Sequence, residues 1–208
     1  MSTTTLKITK NHTGKMSGLQ SLSTACIVNT LCKAHATVKG SICEKCYAAT
    51  MFKRYGEGFN NAFINNYNIL TGSVLPSDEL PIINCLYFRF EAFGDLQNSV
   101  QFINYLNICN KNPRVNFAIW TKNPDIIKKV FNMGYKKPDN LIIIISSLFI
   151  NKSMDIAKYN FADKIFTVYD NSYIEKNHIE INCGSRNCAG CLKCYTKNDI
   201  QYINEKLK

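Results

Sequence analysis

Leu141-Ile-Ile-Ile-Ile-Ser146 is the stretch of sequence that decides the fold. It is almost purely aliphatic, which is typical of a strand covered on both faces and therefore of a parallel sheet. Other strands and helices are predicted in alternation, with strands over 82–90, 115–120 and 164–169 and helices over 96–110, 124–133 and 152–159. This order predicts an α/β fold built on a parallel sheet.

The strand count and the chain length limit the architecture. Four or five strands are too few for an eight-unit barrel, so we expect a partial, TIM-barrel-like sheet in a single domain of 208 residues. Residues 1–46 are predicted to be an irregular N-terminal metal segment, 47–182 the α/β core, and 183–208 a C-terminal metal segment with a helix. Spacing of apolar residues also predicts a long helix over 44–70, disturbed at Gly56 and Gly58.

Eight of the ten cysteines form two groups, each of which ends in Cys-Tyr. The N-terminal quartet is Cys26, Cys32, Cys43 and Cys46, and the C-terminal quartet is Cys183, Cys188, Cys191 and Cys194. Thiolates held close together need a metal to neutralise them, unless they pair as disulfides. Tyr47 and Tyr195, which follow the last cysteine of each quartet, are candidate cofactor-binding residues. Cys85 and Cys109 are interpreted as small buried hydrophobic residues.

The spacing of the cysteines indicates which metal each quartet would take. Cys188-Ala-Gly-Cys191-Leu-Lys-Cys194 is a C-x2-C-x2-C run, the core spacing of bacterial ferredoxins, and it favours a [4Fe–4S] cluster. Structural zinc more often takes two separated pairs and stays an alternative at both sites. The N-terminal quartet is compatible with a second cluster or with zinc. Its spacing does not match the C-x3-C-x2-C of radical S-adenosylmethionine enzymes.

The composition bears on compartment and partners. The chain begins MSTTTLKITK, without an apolar leader, and its longest aliphatic run, 141–145, is too short to span a bilayer. We therefore expect a cytoplasmic protein without membrane association, in a reducing compartment where clustered cysteines bind metals. The net charge of +10 is compatible with nucleic acid as a partner, although the lysines are spread along the whole chain.

Polar residues follow the predicted strands. Arg89, Glu91 and Asp95 lie at or beyond the end of the first, and Lys122 lies beyond the second. In parallel α/β folds chemistry gathers beyond the carboxyl ends of strands, so these four are the candidate catalytic residues. The alternative is that Arg89, Glu91 and Asp95 form a buried network that joins strand to helix.

The order of these motifs resembles a known family. Cys43-x2-Cys46-Tyr47-Ala48, Arg89-x-Glu91-x2-Gly94-Asp95 and the C-terminal cysteine run are similar to the phage-encoded "gene product eighty-eight" family of uncharacterised proteins. The resemblance covers about residues 24–195. It implies a viral origin and the cytoplasm of an infected bacterium, and it implies no reaction. Thr121-Lys122 after a strand distantly resembles the partial barrels of radical S-adenosylmethionine enzymes.

Three functions follow as hypotheses. The first is an iron–sulfur protein with two [4Fe–4S] clusters in a redox or structural role, together with a possible redox partner. The second is a nucleic-acid or host-protein binding module whose metals only staple its ends. The third is a radical S-adenosylmethionine-like enzyme that acts on nucleotides or nucleic acid. Whether the protein is an enzyme stays open at this point.

Overall fold

Seven strands form one sheet in the order of the chain, within residues 5–207, the part that the computed structural model describes. The strands are β1 (Thr9–Lys10), β2 (Gln20–Leu22), β3 (Tyr87–Phe90), β4 (Asn116–Thr121), β5 (Leu141–Ser146), β6 (Lys164–Tyr169) and β7 (Tyr202–Lys206). The helices are α1 (Thr30–Ala36), α2 (Tyr47–Arg54), α3 (Glu57–Gly72), α4 (Ser99–Lys111), α5 (Pro124–Asn132), α6 (Asn171–Asn177) and α7 (Cys188–Cys191). The α/β class predicted from the sequence is confirmed.

The prediction of a parallel sheet is wrong at one edge. Strands β2 to β7 are parallel to their neighbours, whereas β1 pairs with β2 in the antiparallel sense, with Lys10 opposite Gln20. Residues 11–19 are too short a connection for the crossover that a parallel strand requires, so the chain turns back on itself. The sheet is therefore mixed. Its strand order runs from β1 to β7 without closure among the described strands, so a barrel is not shown.

The two faces of the sheet are covered differently. On β3, Phe88 and Phe90 enter the main core with α4, where the Phe90 ring stacks on that of Tyr105 at a centroid distance of 4.2 Å. Successive side chains of a strand point to opposite faces, so Arg89 lies on the other face, in line with Ala118 of β4. That second face is covered by Tyr195 and the C-terminal cysteine segment.

The segments predicted to be irregular contain regular structure. Strands β1 and β2 and helix α1 lie in residues 1–46, and the C-terminal segment has the one-turn helix α7 followed by β7. The predicted long helix over 44–70 is two helices, because Tyr55 is extended (φ −92°, ψ 131°) and Gly56 caps the next helix. Within the described chain, the helices are too short or too polar to cross a membrane.

Candidate functional site

The N-terminal quartet is gathered beyond the carboxyl end of β2. Cys26 follows that strand, and Cys32 lies on α1, where its backbone amide donates to Asn29 at 2.9 Å. Cys43 and Cys46 are held by a turn in which the Cys46 amide donates to the Cys43 carbonyl at 3.2 Å. Cys46 is also the N-cap residue of α2. The site is therefore assembled from α1, which carries Cys32, and from the segments before and after it.

The four N-terminal thiols act on one another. An interaction with Cys46, followed by burial, raises the pKa of Cys26. The same interaction, together with the amides of Ala48 and Ala49 at the start of α2, lowers the pKa of Cys46 to about 6. Burial raises the pKa values of Cys32 and Cys43, and the neighbouring thiols add to this. The Cys26 and Cys46 thiols thus shift each other's pKa in opposite directions.

Charged groups of both signs surround the N-terminal quartet. Asp95 and Glu91 help to raise the pKa of Cys32. Lys122 acts in the opposite direction on the pKa values of Cys43 and Cys46. Of the four residues proposed from the strand ends, the fold thus brings Glu91, Asp95 and Lys122 to this quartet.

Glu91 is buried in a network of hydrogen bonds. Its carboxylate accepts from the Thr24 amide at 3.1 Å, from the Thr24 hydroxyl at 3.0 Å, from Gln101 Nε2 at 2.7 Å, and from the Tyr105 hydroxyl. Burial raises the pKa of Glu91 to about 7. Its backbone is left-handed (φ 54°), which turns the chain sharply at the end of β3. Glu91 therefore joins β2, β3 and α4 and is a positioning residue.

Asp95 is a second buried connector. Its carboxylate accepts from the Thr121 hydroxyl at 2.5 Å and from the Lys122 amide at 3.0 Å. Its backbone carbonyl accepts from Asn29, the cap residue of α1, at 2.8 Å. Asp95 thus fixes the end of β4 against the helix that carries Cys32. The alternative of a buried network holds for Glu91 and Asp95, and Arg89 is not part of it.

The C-terminal quartet lies against the opposite side of the sheet. The Cys183 amide donates to the Asn204 carbonyl of β7 at 3.0 Å, and the Cys188 amide donates to the Lys15 carbonyl at 2.7 Å. Cys188 and Cys194 pack against the apolar cluster around Ile142 and Ile144. The quartet is therefore anchored both to the last strand and to the loop between β1 and β2.

The C-terminal thiols also form one electrostatic group. Burial raises the pKa of Cys194 to about 12, and the other three cysteines of the quartet contribute in the same direction. Burial likewise raises the pKa of Cys188. The pKa of Cys191 is lowered against the effect of burial, by Ser185, the Lys193 amide and nearby lysines. All ten cysteines of the chain are free thiols, so neither quartet is joined by a disulfide.

Four cations act on the C-terminal quartet. Lys15 Nζ lies 3.1 Å from Cys183 Sγ and 2.5 Å from Glu205 Oε1. Lys164 is 1% exposed; its ammonium donates to Asn198 Oδ1 and to the Ile200 carbonyl at 2.7 Å each, and it interacts with Cys194. The third cation is Arg89, whose charge acts on Cys188 and Cys194, and the fourth is Lys193, whose charge acts on Cys191.

Arg89 has no carboxylate partner among residues 5–207. Its guanidinium lies 4.1 Å from the centre of the Trp120 ring, and Nη1 is 3.5 Å from the Met16 sulfur. Its Nε atom is buried without a hydrogen-bond partner in the described structure. A partly buried guanidinium with one buried donor that lacks a partner is costly unless an anion lies nearby. Its charge acts on the C-terminal thiols Cys188 and Cys194, and its side chain is hydrogen-bonded to Tyr195.

The two tyrosines that follow the quartets are in unlike positions. Tyr195 is buried and packs on Trp120, with ring centres 5.7 Å apart. Tyr47 is 62% exposed and donates its hydroxyl proton to the Ala92 carbonyl at 2.5 Å. Both therefore fix the backbone next to a quartet, and their role in cofactor binding stays a prediction.

Comparison with known proteins identifies the family. A family model described as Gene product 88 matches residues 2–206, nearly the whole chain. The chain belongs to the Gene product 88 family. The family resemblance predicted from the motifs is confirmed, whereas the resemblance to radical S-adenosylmethionine enzymes is not shown. Searches of curated proteins and of solved structures found no match.

In this Gene product 88 protein the two quartets are the candidate donor sets for a metal. Each quartet is entirely sulfur, partly buried and enclosed by backbone that the fold holds in place. Across residues 5–207, no three His, Cys, Asp or Glu side chains converge closely enough to hold a single metal ion as they stand.

Sequence reasoning missed several residues of these sites. Lys15 comes from the loop between the first two strands, and Lys164 is an inward-facing residue of β6. For Lys164, the only signal in the sequence was a lysine within a mainly apolar strand. Nothing in the sequence marked Thr24, Gln101 or Tyr105 as partners of Glu91, because each is distant in the chain.

Proposed function

We propose that the chain is an iron–sulfur protein that holds one [4Fe–4S] cluster in each cysteine quartet and transfers electrons through them. The observation that carries the proposal is the Arg89 guanidinium, whose charge acts on Cys188 and Cys194 and which has no carboxylate partner within residues 5–207. A guanidinium stays charged, so this position calls for a permanent negative charge. A cluster bound by four thiolates supplies one, with about two negative charges in its oxidised form.

The charges around the C-terminal quartet support a cluster of that kind. Lys15, Arg89, Lys164 and Lys193 are opposed there by Glu205, so the surroundings of the quartet carry an excess of positive charge. Asp163 beside Lys164 is paired with Lys137 at 2.5 Å. An oxidised four-thiolate cluster and a zinc ion in four thiolates both carry about two negative charges, so this excess suits either group. The C-x2-C-x2-C spacing favours the cluster.

Four thiols at each site also bear on the kind of chemistry. A cluster with a cysteine on every iron has no open position for a substrate. Closed sites favour electron transfer or a structural role over the radical S-adenosylmethionine-like alternative, which requires one iron without a cysteine ligand.

We propose, further, that the parallel part of the sheet, from β2 to β7, curves as part of a barrel around the C-terminal quartet. We also propose that the protein works in the cytoplasm of a phage-infected bacterium.

Metal and sulfide analysis of anaerobically purified protein tests the proposal. We expect about eight iron and about eight acid-labile sulfide atoms per chain, with zinc well below one. A visible absorption band that bleaches with dithionite should accompany them. Stoichiometric zinc without labile sulfide would overturn the iron–sulfur proposal and support the zinc alternative at both quartets.

A second candidate function rests on the exposed surface of α2. Tyr47 and Tyr55 are exposed there at 62% and 43%, and Lys45, Lys53 and Arg54 are exposed beside them. Aromatic rings between cations are the means by which single-stranded nucleic acid is bound without sequence preference. This candidate predicts binding to a fluorescent oligonucleotide that weakens steeply with salt and is lost in Tyr47→Ala. Absence of binding at low salt would eliminate nucleic acid and leave a host protein as the partner to seek.

A further inference from the structure

An amine, a sulfur and a carboxylate meet where the loop between β1 and β2 approaches β7. Lys15 Nζ lies 3.1 Å from Cys183 Sγ and 2.5 Å from Glu205 Oε1. The lysine and glutamate side chains are 27% and 18% exposed, and Cys183 is half-buried. A solute as small as a peroxide can therefore reach the three groups.

The backbone of all three residues is held in place. The Lys15 carbonyl accepts from the Cys188 amide at 2.7 Å. The Cys183 amide donates to the Asn204 carbonyl at 3.0 Å, and Glu205 follows Asn204 on the same strand, β7. Two reactive atoms that the fold keeps near the separation of a reacting pair, about 3–3.5 Å, need little further ordering before a bond forms between them.

We propose that Lys15 and Cys183 form an oxidative modification site, at which a hydroperoxide links the two side chains through a sulfur–nitrogen bond. The thiolate is the form of a cysteine that an oxidant attacks, and a hydrogen bond from an ammonium stabilises its negative charge. The sulfenic acid that results condenses with a nearby thiol or nitrogen. Among residues 5–207, the group that hydrogen-bonds to the Cys183 sulfur is the Lys15 nitrogen.

The reaction takes place in two balanced steps. The Cys183 thiol and one hydrogen peroxide give the sulfenic acid and one water, so the sulfur loses two electrons and the peroxide gains them. The Lys15 ammonium then passes a proton to the Glu205 carboxylate, and the free amine attacks the sulfur. The S–O bond breaks as the S–N bond forms, and the hydroxyl leaves as a second water with a proton from the amine. The carboxylate returns its proton to the solvent.

The new bond fastens the loop of residues 11–19 to the segment that precedes α7. The Lys15–Glu205 ion pair and the hydrogen bond from Cys188 already join these parts of the chain. A covalent link between residues so far apart in the sequence restricts the unfolded chain and thereby stabilises the fold. Thiols reverse an oxidation at this level, so the link is a reversible clamp.

Peptide mapping after oxidation tests the proposal, which does not depend on the iron–sulfur function. The full chain is treated with chelator and reductant, so that no sulfur is bound to a metal, and is then exposed to hydrogen peroxide. Trypsin cleaves after a free Lys15 and not after a linked one. We expect a peptide of residues 11–33 joined to one of residues 177–186, about 2 Da lighter than their sum, which dithiothreitol separates.

A charge-preserving variant and a matched control separate this link from other products of oxidation. Lys15→Arg keeps a cation beside Glu205, but a guanidinium does not lose its proton, so the linked pair should be absent. Lys10→Arg, at an exposed lysine of β1, should form the pair as the wild type does. Oxidation should also raise the midpoint of urea unfolding in the wild type and not in Lys15→Arg.

Three results would overturn the proposal. A peptide of residues 16–33 joined to residues 177–186 in the wild type would show a disulfide instead, because trypsin would have cleaved after a free Lys15. Sulfinic or sulfonic acid at Cys183 without a linked peptide would show that the amine does not trap the sulfenic acid. A linked pair in Lys15→Arg would show that the nitrogen comes from another residue.

Discussion

The Tyr105 hydroxyl donates a hydrogen bond to the carboxylate of Glu91, and both side chains are buried where β3 meets α4. Glu91 also accepts from Thr24 and Gln101, so a single carboxylate holds three elements together. Thr24 is only two residues before Cys26. The geometry of the N-terminal quartet therefore depends on a side chain that touches none of its sulfurs.

The buried carboxyl of Glu91 should make stability depend on pH. Burial raises its pKa from 4.5 to about 7 in the folded protein. The protonated Glu91 carboxyl stabilises the folded state fully below pH 4.5. This stabilisation is lost as the pH rises to 7, because the unfolded chain releases the proton first. We expect the free energy of unfolding to fall by about 3 kcal/mol across that window. Urea unfolding of Glu91→Gln should show a flatter profile, with Glu79→Gln, at an exposed turn, as control. Equal slopes in wild type and Glu91→Gln would contradict the assignment.

Gly94 is required by the close approach of two neighbours. A Cβ atom there would lie 2.3 Å from Glu91 Oε2 and 2.5 Å from Thr24 Oγ1. Gly94→Ala should therefore destabilise the fold by about 1–3 kcal/mol through overpacking, as measured by urea unfolding. Gly58→Ala is the control, because nothing lies within 4 Å of that position on α3 and alanine favours a helix. If Gly94→Ala leaves the free energy of unfolding unchanged, the loop relaxes freely around the added methyl group.

The sequence predicted the central sheet better than its edges. Strands β5 and β6 lie at the predicted residues because runs such as 141–146 are apolar on both faces. Strands β2 and β7 were missed because Gln20, Asn204 and Glu205 give them no apolar pattern. Their pairing with neighbours across the sheet holds them in place, and single-sequence patterns do not report such partners.

The candidate sites were also predictable only in part, because a single sequence reports local patterns and not distant partners. Local spacing identified both quartets, since metal ligands recur at short intervals. The separation of Arg89 from Glu91 and Asp95 was not foreseen, although the three are close in sequence. Arg89 lies within β3, where alternation directs it to the face of Trp120, and the chain then turns at Glu91.

Single cysteine replacements should remove one cluster at a time. The quartets lie against different elements, so Cys191→Ser should reduce iron from about eight to about four atoms per chain and leave the N-terminal cluster intact. Cys32→Ser should do the reverse. Iron, sulfide and electron paramagnetic resonance measurements on anaerobic protein check this. Cys85→Ser is the control outside both quartets, with its thiol 3.3 Å from the Tyr87 carbonyl. Full iron content in Cys191→Ser would exclude it as a ligand.

Replacement of Arg89 should have opposite effects on the two forms of the protein. Without a cluster, the guanidinium faces neutral thiols and lacks a carboxylate within the described chain, so Arg89→Met should stabilise the metal-free form by about 1–3 kcal/mol while methionine keeps a contact with Trp120. With a cluster, the same change removes a balancing charge and should destabilise the loaded form. Urea unfolding of both forms, prepared with and without chelator treatment, measures the sign of the change in the free energy of unfolding for each form. Arg89→Lys keeps the charge and should resemble wild type more closely. A loss of stability in both forms would instead identify Arg89 as a purely structural residue, because only an anion in the C-terminal quartet makes the sign depend on loading.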